Sequence, residues 1–184
     1  GLSDGKALFT WTSFDTGDGS NKCVRTIAYE ADGTPFEGQD RIVNSTTASD
    51  QTTPHAVALQ GGAFAIFWTD WDAGGDGSSS CIRGRIYGQP DDPVDLDFVV
   101  NSTPTGSQSA SSAAALSDGR MIVAWSSQDP GDGQGYCLRA RILNANGTFG
   151  GADFLVNTTV TGDQQSPSIV ALADGRFIIF PGYE

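Results

Sequence analysis

Met121-Ile122-Val123-Ala124-Trp125-Ser126-Ser127-Gln128-Asp129 decides the fold, because its landmarks recur along the chain. Trp11, Trp68 and Trp125 stand 57 residues apart, and Asp15, Asp72 and Asp129 follow each Trp by four. The run before each Trp, as in Phe64-Ala65-Ile66-Phe67-Trp68, is apolar at successive positions, so neighbouring protein must cover both faces of that strand. A fixed period of this length identifies a tandem array of one supersecondary unit.

Other columns repeat with the Trp. Asn44, Asn101 and Asn157 close the apolar pairs Ile42-Val43, Val99-Val100 and Leu155-Val156, and Gln51, Gln108 and Gln164 follow each Asn by seven. Leu59, Leu116 and Leu172 precede the turns Gln60-Gly61-Gly62, Ser117-Asp118-Gly119 and Ala173-Asp174-Gly175. Between Gly, Asp, Asn and Pro clusters, each unit holds four short runs with strand character, the pattern of an antiparallel meander A to D. Strand A includes Ala56-Val57-Ala58-Leu59, and strand B runs to the Trp. Strand C alternates, with Ile82 and Ile86 on one face and Cys81, Arg83 and Arg85 on the other. Strand D carries the Val-Asn ending.

The spacing divides residues 1–184 into units at 2–58, 59–115 and 116–171 with a partial fourth at 172–184, in which Pro181 replaces the Trp. Four-stranded units that cannot bury their faces alone predict an all-β fold of β-propeller blades, either partial or completed by dimerisation. A β-trefoil is the alternative, disfavoured by the restarted fourth unit. Starting and stopping inside a unit suggests a fragment of a longer array, or open ends that pair with another molecule.

Composition narrows the partners. Twenty-two acidic against 10 basic residues give a formal charge of −12, which repels phosphate backbones and excludes nucleic acid as an expected partner. No apolar run is long enough to span a bilayer, and no basic-then-apolar leader precedes the first strand. Cys23, Cys81 and Cys137 occur once per unit at matching places, too far apart for a disulfide, and read as small buried hydrophobes.

From Gln164 to Phe180, with Pro167 and Asp174-Gly175, the chain resembles the propeller-type repeats of large bacterial secreted or surface proteins. Some of those proteins carry haemolysin-type calcium-binding arrays. The resemblance implies an extracellular or cell-surface location.

Each loop between strands B and C offers paired carboxylates on a Gly-bent segment: Asp15 and Asp18, Asp72 and Asp76, Asp129 and Asp132. These are candidate hard-oxygen ligands for calcium, although no loop has the EF-hand alternation. Loop aromatics Trp71, Phe14 and Tyr136 are the candidate ligand-binding residues, since sugars stack on such rings. His55 is the only histidine and has no counterpart in the other units. The expectation is therefore a module that is no enzyme, serving adhesion or carbohydrate or surface binding. A structural unit assembling a propeller as a homodimer or other homo-oligomer, and a fragment of a secreted hydrolase, are the alternatives.

Overall fold

The computed structural model describes residues 1–182 except 16, 37, 73–75, 90, 91, 95, 130, 132, 134 and 160, with the backbone alone at 89 and 92. The first sheet contains β1 (Ala7–Ser13), β2 (Cys23–Tyr29) and β3 (Arg41–Ile42) in that order. The second runs β4 (Gln51–Ala58), β5 (Phe64–Asp70), β6 (Cys81–Gln89) and β7 (Asp92–Pro93), with β8 (Phe98–Val99) also on β6. The third is β9 (Gln108–Ala115), β10 (Met121–Ser127), β11 (Cys137–Leu143) and β12 (Phe154–Leu155). A hairpin of β13 (Ser168–Ala171) and β14 (Phe177–Phe180) begins a fourth.

These sheets stack as propeller blades. The opening strands lie side by side, β4 against β1 and β9, and β9 against β13. All described ladders between named strands are antiparallel. The fourth hairpin packs on the third sheet as the third packs on the second, so the trefoil alternative is not formed.

Burial of strand B follows from its two-residue period. Phe64, Ile66 and Trp68 join Leu2, Val24 and Val43 of the first blade in one cluster. The intervening Ala65 and Phe67 join Val57, Ile82 and Val100, together with Met121, Val123 and Trp125 of the third blade. Ile122 and Ala124 then turn toward Ile169, Phe177 and Ile179. Each fully buried Trp removes about 200 Å² from water, worth roughly 5 kcal/mol. The indole N–H groups of Trp68 and Trp125 have no hydrogen-bond partner among the described residues, offsetting about 1–3 kcal/mol each.

Cross-strand volumes compensate at this interface. Phe67 faces Gly84, Ala124 faces Ala140, and Thr10 faces Thr26. A Cβ on Gly84 would lie 2.7 Å from the Phe67 ring, so the large residue in strand B requires the glycine in strand C.

Strand A is longer than the apolar runs indicate, since β4 and β9 begin at Gln51 and Gln108. A bulge separates the polar start from the apolar end, with Thr53, Ala110 and Ser166 at φ of 50°, 52° and 51°. This geometry aims each amide at the preceding blade: Thr53 donates to Thr12 Oγ1 (3.1 Å), Ala110 to Thr69 Oγ1 (3.2 Å) and Ser166 to Ser126 Oγ (2.9 Å). Strand D shrinks to two-residue pieces.

The polar columns close each blade. Asn44, Asn101 and Asn157 accept the amides of Val24, Ile82 and Leu138 at 2.8–2.9 Å, replacing ladder partners where strand D stops. Each Gln side-chain amide donates to two carbonyls of the connection before it, such as Thr105 and Gly106 for Gln108 (2.9 and 3.1 Å). Cys23, Cys81 and Cys137 are fully buried and are not joined in disulfides.

Candidate functional site

The loops between strands B and C gather at one end of the blades. Their carboxylates serve two structural bonds. Asp15 forms a bidentate pair with Arg25 (2.9 and 3.2 Å), accepts the Gly17 amide (2.7 Å) and takes a short hydrogen bond from Ser13. Asp129 repeats this with Arg139 (2.6 and 3.1 Å), Gly131 (2.6 Å) and Ser127 (2.6 Å). Hydrogen bonding to Arg25 holds the Asp15 carboxyl well below the usual range. At Asp129, burial opposes ionisation, but the Arg139 and Ser127 bonds outweigh it and the pKa is lowered.

The second blade departs from the column. Arg83 pairs with Asp70 (2.6 Å), two residues after Trp68, where the other blades have serine. Asp72 instead donates its amide to Asp70 Oδ1 (3.0 Å).

Asp18 accepts Ser20 and the Asn44 side-chain amide (2.7 Å), and Asp76 likewise accepts Ser78 and, by a short bond, Asn101. Asp132 lies outside the described residues. Among the described residues, no group of three or more His, Cys, Asp and Glu side chains is arranged to hold a metal ion.

The aromatic candidates divide into two places. Phe14 is 78% exposed and Trp71 45% exposed, and a chain of contacts joins them. The Lys22 ammonium lies 5.6 Å from the Phe14 ring centroid and pairs with Asp50 at 2.8 Å. The Asp50 carbonyl accepts the Trp71 amide (2.9 Å), while the indole N–H of Trp71 donates to Thr52 Oγ1 (3.0 Å). An ion pair thus lies under one exposed ring and is joined through the main chain to the residue that carries the other, on the rim between the first and second blades. Tyr136 is half-buried on the rim between the third blade and the hairpin, its amide donating to Asp163 Oδ1 (3.0 Å).

Lys22 and Asp50 are the residues that sequence reading missed. Each directly precedes a repeating landmark, Lys22 before Cys23 and Asp50 before Gln51, but neither repeats in all units. His55 is half-buried, bonds through Nε2 to the Ala113 carbonyl (3.0 Å), and has its pKa lowered by desolvation. The opposite end of the blades has a cavity of about 430 Å³ lined by Leu2, Ala58, Leu59, Ala63, Ala115 and Leu116, among others, with no acidic or basic side chain. The loop rim is therefore where polar chemistry is available.

Blades stacked in this way, with inner strands side by side and a loop rim carrying exposed rings, define a protein of the β-propeller class. No family model and no curated protein matches the chain. Several solved structures share its fold. An endo-arabinase from Bacteroides thetaiotaomicron is 14% identical with a TM-score of 0.58, the match covering 98% of this chain and 72% of that one. An α-L-arabinanase from Penicillium chrysogenum, complexed with arabinobiose, is 12% identical with a TM-score of 0.63, covering 98% and 54%. An α-L-arabinofuranosidase from Lactobacillus brevis is 10% identical with a TM-score of 0.58, covering 91% and 57%. This chain spans little more than half of the latter two.

These neighbours overturn two expectations drawn from sequence, that of a non-catalytic adhesion or binding module and that of no enzyme. Their architecture is that of glycoside hydrolases. The physical reason is that the repeated residues build the scaffold and leave the rim side chains free to differ, so the residues that differ between units are too scattered along the sequence to stand out as a centre. At these identities the likeness shows the fold alone.

Proposed function

We propose that this chain forms part of a propeller of the glycoside hydrolase kind, with the rim between its first two blades holding the sugar. The observation that carries the reading is the Phe14–Lys22–Asp50–Trp71 arrangement on a fold shared with arabinan-directed enzymes. Exposed ring faces stack on the C–H faces of a sugar. Beside them, Asp50 accepts and Lys22 donates hydrogen bonds to sugar hydroxyls.

Cleavage of a glycosidic bond takes two carboxyl groups on opposite sides of the bond. Asp50 is this chain's candidate for contacting sugar at the rim, since the paired loop carboxylates Asp15 and Asp129 are held by arginine. A polymeric glycan is met outside the cell, so an extracellular location belongs to the same proposal.

Calorimetric titration with arabinobiose and arabinan oligosaccharides, alongside reducing-sugar release from arabinan, tests the reading. Trp71→Ala and Phe14→Ala are each expected to weaken binding about five-fold, for roughly 1 kcal/mol of stacking. Failure of the unaltered chain to bind any of these glycans would reject the site.

A further inference from the structure

We propose that Thr52 is a positioning residue of the rim, its hydroxyl holding the Trp71 ring in the orientation that receives a sugar, a role that rests on this rim being where the sugar binds. Trp71 is 45% exposed, and an exposed ring swings between rotamers unless something fixes it. Stacking on a mobile ring loses part of its free energy to ordering that ring.

Trp71 is fixed at both its backbone and its ring. Its main-chain amide donates to the Asp50 carbonyl (2.9 Å), which carries the pairing of β4 and β5 one residue beyond the Gln51–Asp70 pair. Its indole N–H donates to Thr52 Oγ1 (3.0 Å), on the residue diagonal to it across the two strands. One bond sets where the side chain starts and the other where the ring ends, so the torsions between them are determined.

Thr52 is itself firmly held. It is half-buried and β-branched, which restricts its own rotamer. After it the β4–β5 ladder shifts register, and Thr53 turns through a φ of 50°. The Thr53 amide donates to Thr12 Oγ1 of the first blade (3.1 Å), and its hydroxyl meets Thr69 Oγ1 (2.9 Å). Thr12 stands two residues before Phe14. The left-handed bend thus ties the strand that leads to one exposed ring to the residue that seats the other.

Blade stacking does not call for the hydroxyl–indole bond. In the third blade Gln128 takes the place of Trp71 and Ser109 that of Thr52. Gln128 keeps the main-chain bond, to Ser107 (2.8 Å), and Ala110 keeps the left-handed bend. The indole and its partner hydroxyl are therefore additions to a joint that forms without them. With its N–H given to Thr52, the indole offers its face, and Phe14 has no polar side-chain atom. Stacking here accepts any sugar with a C–H face, and the choice among hydroxyl patterns falls to Lys22 and Asp50.

Nuclear magnetic resonance of the indole N–H groups, together with calorimetric titration of arabinan oligosaccharides, tests this on the full chain. The Trp71 signal, identified by its absence from Trp71→Phe, should exchange slowly with solvent. Thr52→Val keeps the shape and removes the acceptor, so it should speed that exchange at least about ten-fold and weaken binding about three-fold. Thr52→Ser should restore both. In a Trp71→Ala chain, Thr52→Val should leave binding unchanged. Unshifted signals from the fully buried Trp68 and Trp125 report an intact fold in each variant. An indole equally protected in Thr52→Val, or a loss of binding that persists in the Trp71→Ala chain, would overturn the positioning role alone. Absence of binding by the unaltered chain, with its indole protected through Thr52, would instead reject the sugar site and the role with it.

Discussion

Asp153→Ala should cost far more stability than Asp40→Ala, although the two residues share one column of the repeat. Asp153 accepts hydrogen bonds from the amides and hydroxyls of Ser102 (2.6 and 2.9 Å) and Thr103 (2.9 and 2.8 Å), and from Arg139 Nη1 (3.0 Å). Its side chain is 2% exposed, so solvent screens little of this. Removing one partner of a buried ionic network costs about 3–5 kcal/mol; Arg139 keeps Asp129, which places the loss near 3 kcal/mol. For a chain of this size that lowers the thermal midpoint by roughly 6–12 °C. Asp40 has the longer, exposed Arg25 contact as its ion pair among the described residues, so its removal should cost less than about 0.5 kcal/mol. Thermal unfolding followed by circular dichroism measures both. Equal losses for the two variants would show that the Asp153 bonds do not join the blades.

Gly84→Ala should destabilise by about 1–3 kcal/mol through overpacking against Phe67, measured by urea unfolding, and Phe67→Ala in the same chain should recover part of the loss. Stability should also fall as pH drops below 6.5: the folded-state pKa of His55 is lowered, so the unfolded chain takes up that proton first. A further loss should begin near pH 3.8, where the unfolded counterparts of Asp129 and Asp153, whose folded pKa values are lowered, become protonated. A denaturant series between pH 3 and 8 checks both, and flat stability from 7 to 5 would refute the His55 assignment. Calcium should move the thermal midpoint by less than about 1 °C, because Asp15 and Asp129 are engaged by arginine and Asp18 and Asp76 by asparagine amides; a rise of several degrees would show that the loops ligate the ion instead.

What was legible in the sequence was whatever repeats. Trp68 and Trp125 lie on a strand buried on both faces, as the unbroken apolar run requires, and the Asn and Gln columns mark where strand D stops and strand A begins. The ion pair of the second blade was not legible, because the partner of Arg83 is selected by cross-strand geometry. Trp68 lies opposite Arg83, and Asp70 is its diagonal neighbour on the same face, so Asp70 reaches the guanidinium directly. In the other blades a serine occupies that diagonal position, and the aspartate two residues later folds back to the arginine while accepting the serine hydroxyl. Counting four residues from each Trp therefore finds the right side chain in two blades and the wrong one in the third. The left-handed residues Thr53, Ala110 and Ser166 were equally hidden, since no glycine marks them and what fixes them is a hydroxyl in the preceding blade.

The rim shows why function has to be sought where the repeat breaks. The same backbone bonds recur between blades: Gln51 donates to the Lys22 carbonyl, Gln108 to that of Ser80 and Gln164 to that of Tyr136, while Trp71 donates to Asp50 and Gln128 to Ser107. These bonds use main-chain atoms only, so they do not dictate which side chains stand there. At the first rim those side chains are Lys22 and Asp50 beside Phe14 and Trp71; at the second they are Ser80 and Ser107; at the third, Tyr136 and Asp163. Asp15, Asn44 and Arg25, by contrast, are held by bonds that the scaffold needs. A charged pair beside two exposed rings at one rim alone is therefore not required by blade stacking, and this separates the candidate sugar site from the architecture that carries it.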